Sequence, residues 1–273
     1  MSSSLTALNT LPFAWLLSLI AIIGLCLGSF LNVVIYRLAI KLKCIDRPCV
    51  NHLLWSRSFC PRCQQGIAWY DNIPVFSFCL LKGRCRLCRQ QISKQYLCIE
   101  LLTLCLTAAI FLRFGLHLHS IAIMVIVWWL IPLSLLDFNY FILPNVLTLS
   151  LLGLGLGFNY FALFVPLSTA LIGACLGYLS LGLIDTIYFL LRKQHGIGQG
   201  DWKLFAALGA CLGWQSLLPL LLIASLLATL VGLGLILLKR ATLQSALPFG
   251  VFLSIAGLIV LLIGQPFIQM LWP

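Results

Sequence analysis

Apolar runs separated by short polar breaks fill most of this chain. They occupy residues 11–36, 97–112, 121–136, 146–165, 167–191, 204–214, 217–238 and 247–263. Runs of about this length read as membrane-spanning helices. The pattern therefore predicts an all-α, polytopic membrane helix bundle of about eight transmembrane helices, with 204–214 the shortest run. Two polar stretches interrupt it, a long one over 37–95 and a short one over 192–203. Gly153, Gly155, Gly157, Gly173, Gly177 and Gly182 fall in the fourth and fifth runs. Small residues in such helices let backbones approach closely. No internal repeat is evident.

Composition sharpens this picture. Of the residues, 62% are hydrophobic and 8% charged, whereas a water-soluble domain carries about 25% charged residues. Met1-Ser2-Ser3-Ser4 lacks a basic start, so a cleavable leader is not expected. Eleven of the 17 Lys and Arg residues lie between Arg37 and Lys94. By the positive-inside rule this segment is cytosolic, and its charge is not read as a nucleic-acid surface. Threading from there puts both termini outside, with Arg192, Lys193, Lys203, Lys239 and Arg240 on the cytosolic side. The expected organisation is a first transmembrane helix over 1–36, a small cytosolic loop domain over 37–95, and a transmembrane domain over 96–273.

Four of the 12 cysteines are paired, as Cys60-Pro61-Arg62-Cys63 and Cys85-Arg86-Leu87-Cys88. Two such pairs form knuckles whose four thiolates complete a tetrahedral zinc site. Cys60, Cys63, Cys85 and Cys88 are the expected ligands of one structural zinc, and His52 is read as a plain loop histidine. Cytosolic thiols stay reduced, which argues against disulfides.

The acidic residues number six: Asp46, Asp71, Glu100, Asp137, Asp185 and Asp201. Asp46 and Asp71 belong to the loop; the other four lie in or beside apolar runs, where a carboxylate is costly and marks function. Asp201 closes Gly198-Gln199-Gly200-Asp201 at the start of an apolar helix, and Asp137 follows the third run. Threading brings both to the cytosolic edge. Two carboxylates in one low-dielectric site share a proton, one activating water and the other polarising a carbonyl. On the ground that helix N-terminal amides favour a charged Asp201, the shared proton is expected mainly on Asp137. Glu100 is expected to reach the surface, and Asp185 to pair with Arg192 or Lys193. A transporter with a regulatory zinc loop is the alternative reading.

Several motifs resemble the type IV prepilin peptidase family: Gly198-Gln199-Gly200-Asp201-Trp202-Lys203-Leu204, Gly28-Ser29-Phe30-Leu31-Asn32, Trp69-Tyr70-Asp71-Asn72-Ile73-Pro74 and Pro248-Phe249-Gly250. The resemblance implies a Gly-x-Gly-Asp aspartyl endopeptidase of the bacterial inner membrane. Such an enzyme removes the short basic leader of prepilins and pseudopilins at the cytosolic face of the bilayer. It also implies N-methylation of the new N-terminus from S-adenosylmethionine, and it matches Asp137 and Asp201 to the catalytic pair. Asn145 and His195 depart from the pattern, since acidic residues are usual at both places. Leu97 and Val251 stand where prolines are usual. No glycine-rich nucleotide loop marks the methyl donor's site.

Overall fold

The computed structural model describes residues 12–42, 44, 59–60, 62–63, 65–242 and 245–263. Asp46, Cys49 and His52 lie outside them. The described residues form nine α-helices: α1 (Phe13–Lys41), the short α2 (Phe76–Leu80), α3 (Lys94–Phe114), α4 (Leu118–Tyr140), α5 (Asn145–Tyr160), α6 (Leu167–Arg192), α7 (Gln199–Leu212), α8 (Leu217–Leu237) and α9 (Phe249–Ile263). No strand occurs among them, so the all-α expectation holds. Every predicted apolar run is a helix. Five helices are long and apolar enough to cross a membrane: α1, α3, α4, α6, and α8 with the turn before it. The three remaining apolar runs form shorter helices, α5, α7 and α9, of 16, 14 and 15 residues.

The chain divides into two compact units between Pro132 and Leu133. In the first, α1 lies along α3. Gly28 meets the backbone of Glu100 and the side chain of Thr103, and Gly24 meets Leu104 and Thr107. Asn32 of α1 donates to the carbonyl of Tyr96 at 3.1 Å, which ties α1 to the start of α3. Helix α1 continues past Arg37, since Leu38, Ala39 and Ile40 extend its buried face. Ser93 caps α3 by accepting from the Gln95 amide. Glu100 does not reach the surface. It is buried and accepts the Val75 amide at 2.8 Å, holding the polar segment against the helix pair.

The second unit is built around α7. Every residue from Leu204 to Leu212 is buried, as expected of a helix that is apolar on all sides. Helices α5, α6 and α9 pack around it. Gly173 of α6 and Gly209 of α7 bring the two backbones into direct contact; a Cβ on Gly173 would sit 2.9 Å from the Gly209 carbonyl carbon. Neither backbone can yield that space in a close-packed interior. Gly173→Leu is therefore expected to abolish accumulation of folded protein in the membrane, while Gly153→Leu, which faces open space, leaves it at the parental level. Immunoblotting of washed membranes checks both. Asn159 closes the far end of α7 by donating to the carbonyls of Ala210 and Cys211 at 2.8 and 2.9 Å. Its own Oδ1 accepts the amides of Phe164 and Val165.

Candidate active site and metal centre

Three chain segments of the second unit converge where the Gly198–Asp201 turn enters α7. Helix α4 carries Asp137 in its last turn, one turn before the chain leaves through Phe141, which takes a positive φ of 55°. Asp137 follows the third apolar run in sequence, and the helix runs on past that run to Tyr140 and includes it. Leu143, in the link to α5, then packs against both Gly200 and Gly250. A Cβ at either glycine would come within 2.9 Å of its side chain. These two glycines let the α7 entrance and the α9 entrance close on one leucine. Asp137 and Asp201 are 5% and 9% exposed, and the Asp137 charge lies within electrostatic reach of Asp201. The two aspartates singled out in sequence, 64 positions apart in number, therefore belong to one buried site.

Their hydrogen bonds differ from expectation. The amide of Val251, at the start of α9, donates to Asp137 Oδ2 at 3.1 Å. Asp201 Oδ1 is buried without a protein partner. Asp137 thus has a helix-entrance amide of its own, which the sequence reading did not give it. Sequence reasoning missed the role of Pro248-Phe249-Gly250. The signal was present in a Pro-x-Gly entry to a helix, whose first amides have no partners of their own. Asn145, where the resemblance expects an acid, still accepts from Lys203 Nζ at 2.7 Å.

The other two intramembrane carboxylates have partners of their own. Glu100 belongs to the first unit. Asp185, 1% exposed, takes no partner from Arg192 or Lys193. It accepts from His195 Nδ1 at 2.7 Å and from the amides of Gly196 and Ile197 at 2.7 and 2.9 Å.

The four paired cysteines meet in the first unit. The sulfurs of Cys60, Cys63, Cys85 and Cys88 all lie within 4.8 Å of one another, with Cys60 and Cys88 at 3.9 Å. A tetrahedral zinc with Zn–S bonds of about 2.3 Å needs sulfurs roughly 3.8 Å apart, so the cluster fits that ion. Both knuckles are built alike. Cys60 N donates to Gln65 O and Cys85 N to Gln90 O, each at 2.9 Å. Isolated antiparallel bridges, Phe59 with Gly66 and Arg84 with Gln91, close them. This corrects the absence of a repeat: Cys-x-x-Cys-x-Gln-x-Ile occurs at Cys60–Ile67 and again at Cys85–Ile92. The backbone amide of Cys88, and then that of Leu87, push the Cys85 thiol down to about 7, whereas the neighbouring Cys88 thiol is pushed up to about 11. Arg86, inside the second knuckle, donates twice to Asp71 at 2.8 and 2.6 Å. The bond to Arg86 holds the Asp71 carboxyl below its usual range and ties the knuckle to the turn Trp69–Asn72.

Both halves of the chain match known families. Residues 22–114 match the bacterial peptidase A24 N-terminal domain, and residues 124–233 match the type IV leader peptidase family. The chain is 41% identical over 268 residues to the prepilin leader peptidase/N-methyltransferase of Aeromonas hydrophila, covering 92% of each. It is 38% identical to the Pseudomonas aeruginosa protein of that name, over 93% of this chain and 92% of the relative. A Burkholderia pseudomallei relative of the same name is also 38% identical, over 98% of this chain and 92% of its own. No solved structure matches the chain. The protein belongs to the type IV leader peptidase family.

Proposed function

We propose that this protein is a prepilin leader peptidase whose catalytic groups are Asp137 and Asp201, and that it also N-methylates the N-terminus it creates. The observation that carries the assignment is the meeting of two buried carboxylates at the entrances of separate helices, drawn together across Leu143. Relatives named prepilin leader peptidase/N-methyltransferase, matched along nearly their whole length, support the substrate class. Pseudopilins share that class. With the basic segment in the cytosol, the pair lies at the cytosolic face of a bacterial inner membrane.

In this mechanism the pair holds one proton, because two close carboxylates do not both ionise readily. The ionised member takes a proton from a water as that water attacks the carbonyl of the scissile bond. The protonated member donates to the carbonyl oxygen. Collapse of the tetrahedral intermediate returns a proton to the leaving amine, so the two aspartates exchange roles within a turnover. Asp201 Oδ1 has no protein partner. Val251 fixes Asp137 through its amide.

Cys60, Cys63, Cys85 and Cys88 would hold one structural zinc, which supplies folding energy to a polar segment with little core of its own. S-adenosylmethionine would be the methyl donor, as the N-methyltransferase name of the relatives implies. No glycine-rich nucleotide loop marks its site in the sequence, so methyl transfer is assigned to the protein and not to named residues. The organisation proposed is 1–36, 37–95 and 96–273, with the protease in the last.

Incubation of the purified protein with a prepilin, followed by mass measurement of the product, tests this reading. The expected product lacks the leader, and it gains one methyl group when S-adenosylmethionine is added. Intact prepilin recovered from a folded, zinc-loaded enzyme would contradict it.

A further inference from the structure

The chain between α6 and α7 makes an unusual turn immediately before the proposed catalytic motif. It leaves α6 through Lys193, which is left-handed with φ 57°, and folds back on the helix it has just left. His195 stacks on Phe189 with ring centroids 4.6 Å apart. Gly196 lies against the ring of Tyr188, where a Cβ would come within 3.0 Å. Beneath them Asp185 collects three donors: His195 Nδ1 on Oδ2, and the amides of Gly196 and Ile197 together on Oδ1. A buried carboxylate is costly, and charge-assisted bonds of this kind are among the strong ones. The next residue, Gly198, is the N-cap of α7; its carbonyl accepts the Asp201 amide at 2.9 Å, and a Cβ on it would sit 3.2 Å from Asp201 Oδ2.

We propose that Asp185 and His195 form a clamp that positions Asp201, by fixing the backbone of the two residues that precede the Gly198–Asp201 turn. The clamp touches neither substrate nor reacting atoms. Its effect passes through Gly196 and Ile197 to the turn, whose other side is set by Leu143 against Gly200. Positioning matters at this scale because a misplacement of about 1 Å in a catalytic group can cost on the order of 100-fold in rate.

This inference rests on Asp201 being catalytic, and the test separates the two. Leader cleavage is measured with purified Asp185→Ala, Asp185→Asn, His195→Phe and Asp201→Asn enzymes, together with their melting temperatures. Asp185→Ala removes every acceptor and is expected to lower kcat about 100-fold with KM within twofold of the parent. Asp185→Asn keeps an oxygen for the two amides and is expected to recover most of that loss. His195→Phe keeps the stack on Phe189 and loses only the bond to Asp185. It is expected to lower kcat about tenfold with an unchanged melting temperature. His195 is largely exposed, so this variant decides the matter even where Asp185→Ala fails to fold. Unchanged kcat in His195→Phe, or losses that follow KM and melting temperature instead of kcat, would overturn the clamp. Full activity in Asp201→Asn would instead overturn the catalytic assignment on which it rests.

Discussion

Asp137→Asn and Asp201→Asn are each expected to reduce leader cleavage by on the order of 10⁴-fold or more, because members of a catalytic unit fail together when one is removed. Asparagine keeps the size and polarity of each site but cannot carry the proton that the mechanism moves. At Asp137 the Val251 amide retains an oxygen to donate to, so α9 has no reason to shift. At Asp201 the side chain makes no protein hydrogen bond through Oδ1, so little structure depends on its charge. Both variants should therefore accumulate in membranes at parental levels and melt within a few degrees of the parent. Cleavage assays on purified protein with matched circular-dichroism melts check this. Loss of activity accompanied by loss of the folded chain would point to a structural role instead.

The second large effect concerns the four-cysteine cluster. Replacing any one of Cys60, Cys63, Cys85 or Cys88 by Ser is expected to lower bound zinc from about one per chain toward zero. The affected part of the first unit contains little else to hold it together. Beyond the two knuckles, its described contacts include the short helix α2, a few turns, the Arg86–Asp71 pair, the Ser77 bond to the Tyr70 carbonyl and the Glu100 bond to Val75. Structural zinc contributes on the order of 10 kcal/mol to such small domains at neutral pH. Without it the polar segment should become protease-sensitive near Lys82–Arg89, while the second unit, which has its own core, stays protected. Elemental analysis and limited proteolysis of the variants read both consequences. A variant that retained parental protection without metal would show that the cysteines pack as ordinary thiols.

Much of this was legible in sequence because the chain is so apolar. With six acidic residues in 273, each intramembrane carboxylate stands out, and Asp137 and Asp201 could be paired by threading alone. The cysteine knuckles were legible from spacing. What could not be read was set by contacts that ignore sequence distance. Val251 donates to Asp137 across 114 positions, and no local pattern announces that. Asp185 was matched to basic residues one face along its own helix, whereas the reversal at Lys193 delivers His195 and two amides to it. Glu100 was read as a surface-reaching side chain because the segment that covers it, Ile73–Val75, is far away in sequence. Nor does an apolar run reveal whether lipid or protein surrounds it. In α7 the answer is protein.

The account's central claim is that two carboxylates act as one proton-sharing unit. The pH dependence of kcat/KM for leader cleavage by the parental enzyme, followed from about pH 4 to pH 9, tests it most directly. A bell-shaped profile is predicted, its acid and alkaline limbs reporting the first and second proton lost from the Asp137–Asp201 pair. A profile that rises through a single ionisation and stays level, or substantial cleavage by the Asp137→Asn enzyme across the same range, would contradict it.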